Sequence, residues 1–223
     1  MAFKHGPIYP GIADGLVFAV DPANPKSWTG PSSATVNNLP TYNNSVSGSI
    51  SNDTSGSYGQ YESFTFDGTD DHISFNTAFS HTNITVNSWV KFNNISGEKV
   101  IYDNRDGSTD KVILYKSSPN KFTFQVNGGT CDSDTTALIS TWYNYTATYD
   151  GSTMRVYING VEDNTQSYSS TVDITTKNVT IGATSAITIP MNGDIGPVLV
   201  YNRTLSALEV LQNYNRVKSR FGL

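Results

Sequence analysis

The strongest constraint on the fold lies between Trp142 and Gly160, where runs of aromatic and β-branched residues are split by Asp150-Gly151 and closed by Asn159-Gly160. Asp-Gly and Asn-Gly tolerate the positive φ angles of a two-residue type I′ loop. Between alternating apolar residues they turn one antiparallel strand into the next. This part of the chain therefore reads as consecutive hairpins.

The same punctuation runs through most of the sequence. Residues 15–20 form an apolar run between Asp14-Gly15 and Asp21-Pro22, the pattern of a fully buried first strand. Residues 22–60 are rich in Ser, Asn, Gly and Pro and predict mostly loop, with one or two short edge strands. From Tyr61 the alternation is regular. Strands are expected at 63–66, 72–75, 83–92, 99–102, 111–115, 121–126, 142–149, 153–158, 172–175, 178–181 and 194–201. Ile84, Val86, Ser88, Val90 and Phe92 share one face of their strand, as a period of two requires. Pro197 has no N–H to give a ladder, which predicts an edge position or a bulge. With no βαβ alternation, the expected fold is all-β, a two-sheet antiparallel β-sandwich.

A length of 223 residues is ordinary for one such sandwich. Charged residues make up 15% of the chain, which gives no sign of charge-driven disorder. The net charge is −5 and the Lys and Arg are scattered. No basic stripe exists to neutralise phosphates, which argues against nucleic acid as a partner. The single cysteine, Cys131, has no intrachain partner and no neighbouring His, and reads as a small packed or partly exposed thiol, not a reactive one. No run approaches the ~18 apolar residues of a membrane span. The opening Met1 to Gly11 lacks the apolar segment of a secretory signal, so the expectation is synthesis in a cytosol with no membrane insertion.

The two ends read differently from the middle. Residues 1–14 contain Gly6-Pro7 and Pro10-Gly11 and no periodicity, the pattern of an extended arm ahead of a domain at 15–223. Phe3, Ile8, Tyr9 and Ile12 are its apolar anchors, expected to contact another copy or another protein. Pro7 and Pro10 lower the entropy lost when such an arm is fixed. At the other end, Ser206-Ala-Leu-Glu209 is a capping box, flanked by Leu205 and Val210 as a hydrophobic staple. One short C-terminal helix is expected at about 206–220, with Leu208, Leu211, Tyr214 and Val217 along it and Gly222 stopping it.

Catalytic chemistry is hard to find. Glycoside hydrolysis needs two carboxylates ~5 to 9 Å apart, yet Glu62, Glu98, Glu162 and Glu209 are isolated in sequence and Glu209 already serves the cap. His5, His72 and His81 are dispersed and no Ser lies in a Gly-x-Ser-x-Gly elbow. No catalytic residue is assigned and the chain reads as a non-enzyme. Calcium is the one cofactor with candidate ligands. Asp103, Asp106 and Asp110 surround one turn, although an EF-hand register would put Tyr102 and Ile113 at the first and twelfth ligand positions. Asp67 and Asp70, with Asp71, surround the Asp67-Gly68 turn. Sugar binding would need exposed aromatic faces, for which Trp28, Tyr42, Tyr58 and Tyr168 lie in polar, loop-like sequence. Trp89 and Trp142 lie inside regular strands and read as core.

Four segments resemble the laminin-G-like branch of the concanavalin A-like jelly rolls, in family order. They are Phe66-Asp-Gly-Thr-Asp-Asp-His-Ile73, Ile84-Thr-Val-Asn-Ser-Trp-Val90, Trp142 to Val161, and Ile181-Gly-Ala183 with Asn192-Gly-Asp-Ile195 through Ser206. The resemblance implies a jelly roll, a fold that hosts lectins, glycosidases, adhesion modules and virion parts alike. Residues 15–24 and 211–223 resemble more narrowly the stand-alone proteins of this module among tailed-phage virion components. That likeness implies a non-catalytic structural or adhesion protein of a particle: a capsid decoration, or a tail or fibre-associated component. Its partners would be other virion proteins or copies of itself, with cell-surface carbohydrate as a ligand. The alternative is a carbohydrate-binding lectin outside any virion. Where family members carry adjacent acidic residues after Gly-x-Ile, this chain has Gly196-Pro197, which removes the carboxylates of that pair.

Overall fold

The computed structural model describes residues 12–30, 33–40, 47–51, 63–77, 82–106, 110–172 and 179–223, with backbone alone at 47–51, 106, 110 and 111. In chain order the strands are β1 (Leu16–Val20), β2 (Thr35–Asn37), β3 (Ser47–Ser51), β4 (Phe64–Asp67), β5 (His72–Phe75), β6 (Ile84–Phe92), β7 (Lys99–Asp106) and β8 (Asp110–Lys116). They continue as β9 (Lys121–Val126), β10 (Gly129–Thr136), β11 (Trp142–Tyr149), β12 (Thr153–Ile158), β13 (Val161–Ser167), β14 (Val179–Ile181) and β15 (Asn192–Tyr201). Among the described residues, one sheet has seven strands in the order β1-β15-β6-β11-β12-β13, with β4 also paired to β15. The other has eight, in the order β10-β9-β8-β7-β14-β5-β3-β2. Every strand pair among the described residues is antiparallel.

Alternation decides which side chains meet between the sheets. From the seven-stranded sheet come Ile84, Val86, Val90, Phe92, Tyr143, Tyr145, Ala147, Tyr149, Val198 and Val200; from the eight-stranded sheet come Tyr102, Val112, Leu114, Phe122, Phe124 and Val126. These face one another as a single core, and the area they remove from water is the main favourable contribution to folding. Trp28 belongs to the same core and closes one part of it against Phe64, ring centroids 5.1 Å apart.

The outer face of the seven-stranded sheet is covered by the C-terminal helix α1 (Ala207–Val217) and the 3-10 turn Lys218–Phe221. Both halves of the capping box are formed, with Ser206 accepting from the Glu209 N–H and Glu209 accepting from the Ser206 N–H. Leu205 and Val210 pack together with Tyr157, Leu199 and Tyr201. Phe221 stacks on Trp89 at 4.2 Å and leans on Trp142 at 4.5 Å. The absent acidic pair finds its explanation here: a Cβ on Gly196 would lie 2.8 Å from Phe221 Cζ and 3.0 Å from Trp89 Cβ. Glycine leaves the room that the aromatic stack occupies. Pro197 sits where the register of β15 on β6 shifts between Ile195 and Val198, and where β15 passes from pairing with β4 to pairing with β1. The bulge expected of Pro197 is present, in an interior strand rather than at an edge.

Several expectations need correction. Strands β10 and β13 were not expected: β10 carries Thr, Asp and Ser where apolar residues were sought, and β13 is polar on both faces. Strand β7 runs on through Asp106, so Asp103 lies in a ladder and not in a loop. On α1 the buried positions are Val210, Asn213 and Val217, while Leu208 and Leu211 are exposed. The described end of the arm belongs to the sandwich. The Ile12 N–H donates to Asn213 Oδ1 at 3.3 Å, the Tyr201 hydroxyl donates to the Ile12 carbonyl at 3.1 Å, and the Ile12 side chain packs against the Tyr201–Leu205–Val210 cluster. As an interface anchor Ile12 is therefore corrected, since its apolar surface is used within its own domain. Phe3, Ile8 and Tyr9 lie outside the described residues. Among the described residues, no helix is long and apolar enough to cross a membrane.

Candidate binding site

A cleft of about 180 Å³ opens on the outer face of the eight-stranded sheet, lined by Glu98, Val100, Arg105, Ile113, Tyr115, Gln125 and Ile189. Register explains why these side chains converge. Val100 is paired with Tyr115 and Asp103 with Ile113 across β7 and β8, and Ile113 with Gln125 across β8 and β9. Their neighbours Tyr102, Val112 and Leu114 point into the core, so alternation sends this set outward. A bulge between Val100 and Tyr102 lets Val100 and Arg105 share that outward face despite the odd spacing between them. Val100 and Ile113 are only 2% and 4% exposed. They form an apolar floor, with polar groups at the rim.

Two of the rim groups are held from behind. Arg105 donates through Nε to both carboxylate oxygens of Asp103, each at 2.8 Å. Asp103 is fully buried and its Oδ2 also accepts the Ser185 N–H at 2.7 Å. This fixes the guanidinium through one nitrogen, and its two terminal nitrogens have no partner among the described residues. Glu98 is carried by a loop pinned from below. The buried Lys116 ammonium donates to the carbonyls of Ile95, at 2.6 Å, and Gly97, and to Asn120 Oδ1 at 2.9 Å. Desolvation of that ammonium, with Lys99 nearby, lowers its pKa, against the opposing pull of Glu98. Burial, then the charges of Glu98 and Asp132, pushes the Tyr115 hydroxyl up to about 12. It remains a neutral donor and acceptor across the physiological range.

The remaining wall is strained. Ile187 and Ile189 both take φ 56, a left-handed conformation that is a genuine outlier for a β-branched side chain. The turn is enforced by the Ile187 N–H on the Thr184 carbonyl at 2.9 Å, by the Thr184 N–H on the Thr188 carbonyl at 3.0 Å and by the Val100 N–H on the Ile189 carbonyl at 3.3 Å. Strain held in place by this many bonds is a mark of functional sites. None of these residues was expected from sequence. The available signal was the unbroken apolar run at 112–114, which requires cover on both faces of the strand.

The residues expected from sequence are placed elsewhere. Trp28 is corrected as a ligand-stacking aromatic: it is 1% exposed, and its Nε1 donates to the Ser33 carbonyl at 3.2 Å. Polar neighbours bond to one another beside it, as where Asp21 N–H donates to Ser27 Oγ at 3.1 Å and the Ser27 hydroxyl to the Asn37 carbonyl at 2.9 Å, and the indole enters the core. Tyr168 is half-buried against the core, with its ring over Gly129. Tyr42 and Tyr58 lie outside the described residues. Asp103 is corrected as a calcium ligand, because Arg105 and Ser185 occupy its carboxylate. Asp106 and Asp110 face each other in the β7–β8 backbone register; their side chains lie outside the described residues. Asp67, Asp70 and Asp71 do meet, with ligand atoms within 4.8 Å of one another. Two of those carboxylates are engaged within the turn: Asp67 N–H donates to Asp71 Oδ2 at 2.8 Å and Thr69 N–H to Asp67 Oδ1 at 2.7 Å. Cys131 is buried, and burial with the nearby carboxylates of Asp132, Asp134, Asp163 and Glu162 pushes its thiol up to about 11, so it is unreactive.

Among the described residues lining the cleft, Glu98 is the one carboxylate, where hydrolysis of a glycoside needs two. The arrangement can hold a ring-sized ligand by its apolar face and hydrogen-bond its edge. Comparison with known proteins agrees with the fold. The family model described as the concanavalin A-like lectin/glucanases superfamily matches residues 67–211. No curated protein sequence matches the chain. Among solved structures, the binding domain of botulinum neurotoxin serotype D superposes with a TM-score of 0.70 at 15% identity, covering 91% of this chain and 52% of that one. The botulinum neurotoxin DC binding domain in complex with SialylT gives 0.69 at 14% identity, over 92% and 52% of the two chains. The same domain in complex with rat synaptotagmin II gives 0.67 at 14% identity, over 91% and 52%. The chain thus spans about half the length of the toxin domains it resembles.

Proposed function

The chain belongs to the concanavalin A-like lectin/glucanases superfamily, and from that premise we propose that it is a non-catalytic adhesion module that recognises saccharide in the cleft on its eight-stranded sheet. The observation that carries this reading is the cleft itself, with an apolar floor of Val100, Ile113 and Ile189 under a polar rim of Glu98, Arg105, Tyr115 and Gln125. A pyranose has the matching character: C–H faces that pack on apolar side chains and hydroxyls that both donate and accept. Among the described residues the cleft is lined by one carboxylate, Glu98, where glycoside hydrolysis uses two. The partners named for the toxin domains, SialylT and rat synaptotagmin II, are those of binding proteins.

A glycan array probed with the purified protein tests the reading. A defined set of glycans should be retained, and Tyr115→Ala should remove the signal without lowering the melting temperature by more than a surface substitution does. Retention that is unchanged in Tyr115→Ala, or no retention of any glycan, would contradict it. Hydrolysis of laminarin, agarose, carrageenan or peptidoglycan should be absent. A turnover abolished by Glu98→Gln would reverse that assignment.

The finer reading puts the module on a phage particle, as a capsid decoration or a tail or fibre-associated component assembled after synthesis in the host cytoplasm. The resemblance of residues 15–24 and 211–223 to virion proteins supports it. Mass spectrometry of washed particles should find the protein at fixed stoichiometry. Its absence there, with glycan binding intact, would favour a lectin outside any virion.

A further inference from the structure

We infer that the saccharide taken by this cleft bears a carboxylate, and that Arg105 is the residue that selects it. The inference rests on reading the cleft as a sugar site. Arg105 is bound to Asp103 only through Nε, at 2.8 Å to each oxygen. An arginine meant only to neutralise Asp103 would gain more from a two-nitrogen fork, the arrangement that Arg203 makes with Glu209 at 3.1 and 2.6 Å. Here the buried Asp103 carboxylate, shared with the Ser185 N–H at 2.7 Å, acts as an anchor and turns the terminal amino groups outward. Arg105 lines the cleft, and its side chain is 24% exposed. A fixed guanidinium edge whose terminal N–H groups meet no partner among the described residues is matched in shape and charge by a carboxylate.

The rest of the cleft explains why the carboxylate comes on a sugar. At about 180 Å³ it is smaller than the ~300–1,000 Å³ of sites for drug-sized ligands. It holds one ring, and a longer chain would run over the sheet. Val100, Ile113 and Ile189 meet the ring from below. Glu98 lines the cleft as an acceptor for hydroxyls, and its charge lies within electrostatic reach of the Lys116 ammonium, which lessens its repulsion of an anionic ligand. Gln125 and the neutral Tyr115 hydroxyl can each donate and accept. A bare anion would make no use of the apolar floor, and a neutral sugar would leave the guanidinium edge unpaired.

Isothermal titration of the full chain tests this with short oligogalacturonates, their methyl esters and the methyl glycoside of N-acetylneuraminic acid. Sodium acetate serves as a carboxylate without a ring, and an acidic peptide as a different macromolecule. A free acid should bind roughly 10- to 100-fold more tightly than its ester, the range of a charged hydrogen-bonded pair. Whether the uronate or the sialoside binds identifies the source of the carboxylate. Arg105→Gln should abolish the preference for acid, whereas Tyr115→Ala should weaken acid and ester alike. If Arg105→Gln fails to fold because Asp103 loses its partner, Arg105→Lys, which keeps a charge beside Asp103 but loses the planar fork, should lose the same preference. Equal binding of acid and ester, or acetate or the peptide binding as tightly as the uronate, would overturn the inference. Of these, equal binding leaves the sugar site standing, whereas no heat with any saccharide would overturn both.

Discussion

At the residue scale the chain uses its few charges for position more than for surface. Arg220 and Asp21 form an ion pair at 2.7 Å with both side chains 4% exposed, which fastens the last turn of the chain to the end of the first strand. Removing one partner leaves the other charged and buried, so Arg220→Met should destabilise by about 3–5 kcal/mol in a denaturant titration. Replacing both at once with apolar residues should cost much less. Glu209 makes a different kind of pair. The hydrogen bonds from Arg203 are the first cause, followed in the same direction by those from Ser206, and they hold its carboxyl down to about 2 against the cost of burial. Its unfolded value is about 4.3, so the stabilisation is complete above that pH and is lost as the pH falls toward 2. The gap in urea midpoint between the wild type and Glu209→Gln should therefore be open at about pH 6 and close progressively below about pH 4.3. A gap that stays constant down to about pH 2 would show that the pair does not titrate as described.

At the element scale the C-terminal helix shows what sequence reveals and what it conceals. Ser206→Ala should lower stability by about 0.5 to 2 kcal/mol, measured as a melting shift against a surface Ser→Ala control. The capping box was legible because its residues are neighbours in sequence, and the hairpins were legible because Asp150-Gly151 and Asn159-Gly160 act locally. The face that α1 buries was not. Helical spacing alone groups Leu208 with Leu211, but the sheet beneath turns that face outward and buries Val210, Asn213 and Val217. Strands β10 and β13 were missed for a related reason. Both lie at the ends of their sheets, where packing and pairing with a partner strand, and not residue propensity, make the strand. The cleft needed three separate strands brought into register and a bulge in one of them. The apolar run at 112–114 signals cover on both faces of β8, but not which side chains the other two strands bring beside it. The Asp103–Arg105 pair could have been found, since alternate residues share a strand face, had β7 been extended past Tyr102.

At the scale of the whole molecule, two faces of the sandwich have divided the work. The helix and an aromatic stack close the outside of the seven-stranded sheet, and the outside of the eight-stranded sheet carries the cleft. The acidic turn at Asp67, Asp70 and Asp71 shares no described residue with the lining of the cleft. Because Asp67 and Asp71 already accept N–H groups within that turn, chelation should leave the melting temperature nearly unchanged. A large stabilisation by calcium would instead identify a native-state ion site, since binding that favours the folded form stabilises by mass action. The central claim, that saccharide binds on the outer face of the eight-stranded sheet, is tested most directly by backbone amide shift mapping. Titration with the glycan selected from the array should move the amides of Val100, Arg105, Ile113, Tyr115 and Gln125, residues from three adjacent strands that no sequence-local effect would join. Shifts confined to the turn at 67–71, or scattered with no focus on β7, β8 and β9, would contradict the account.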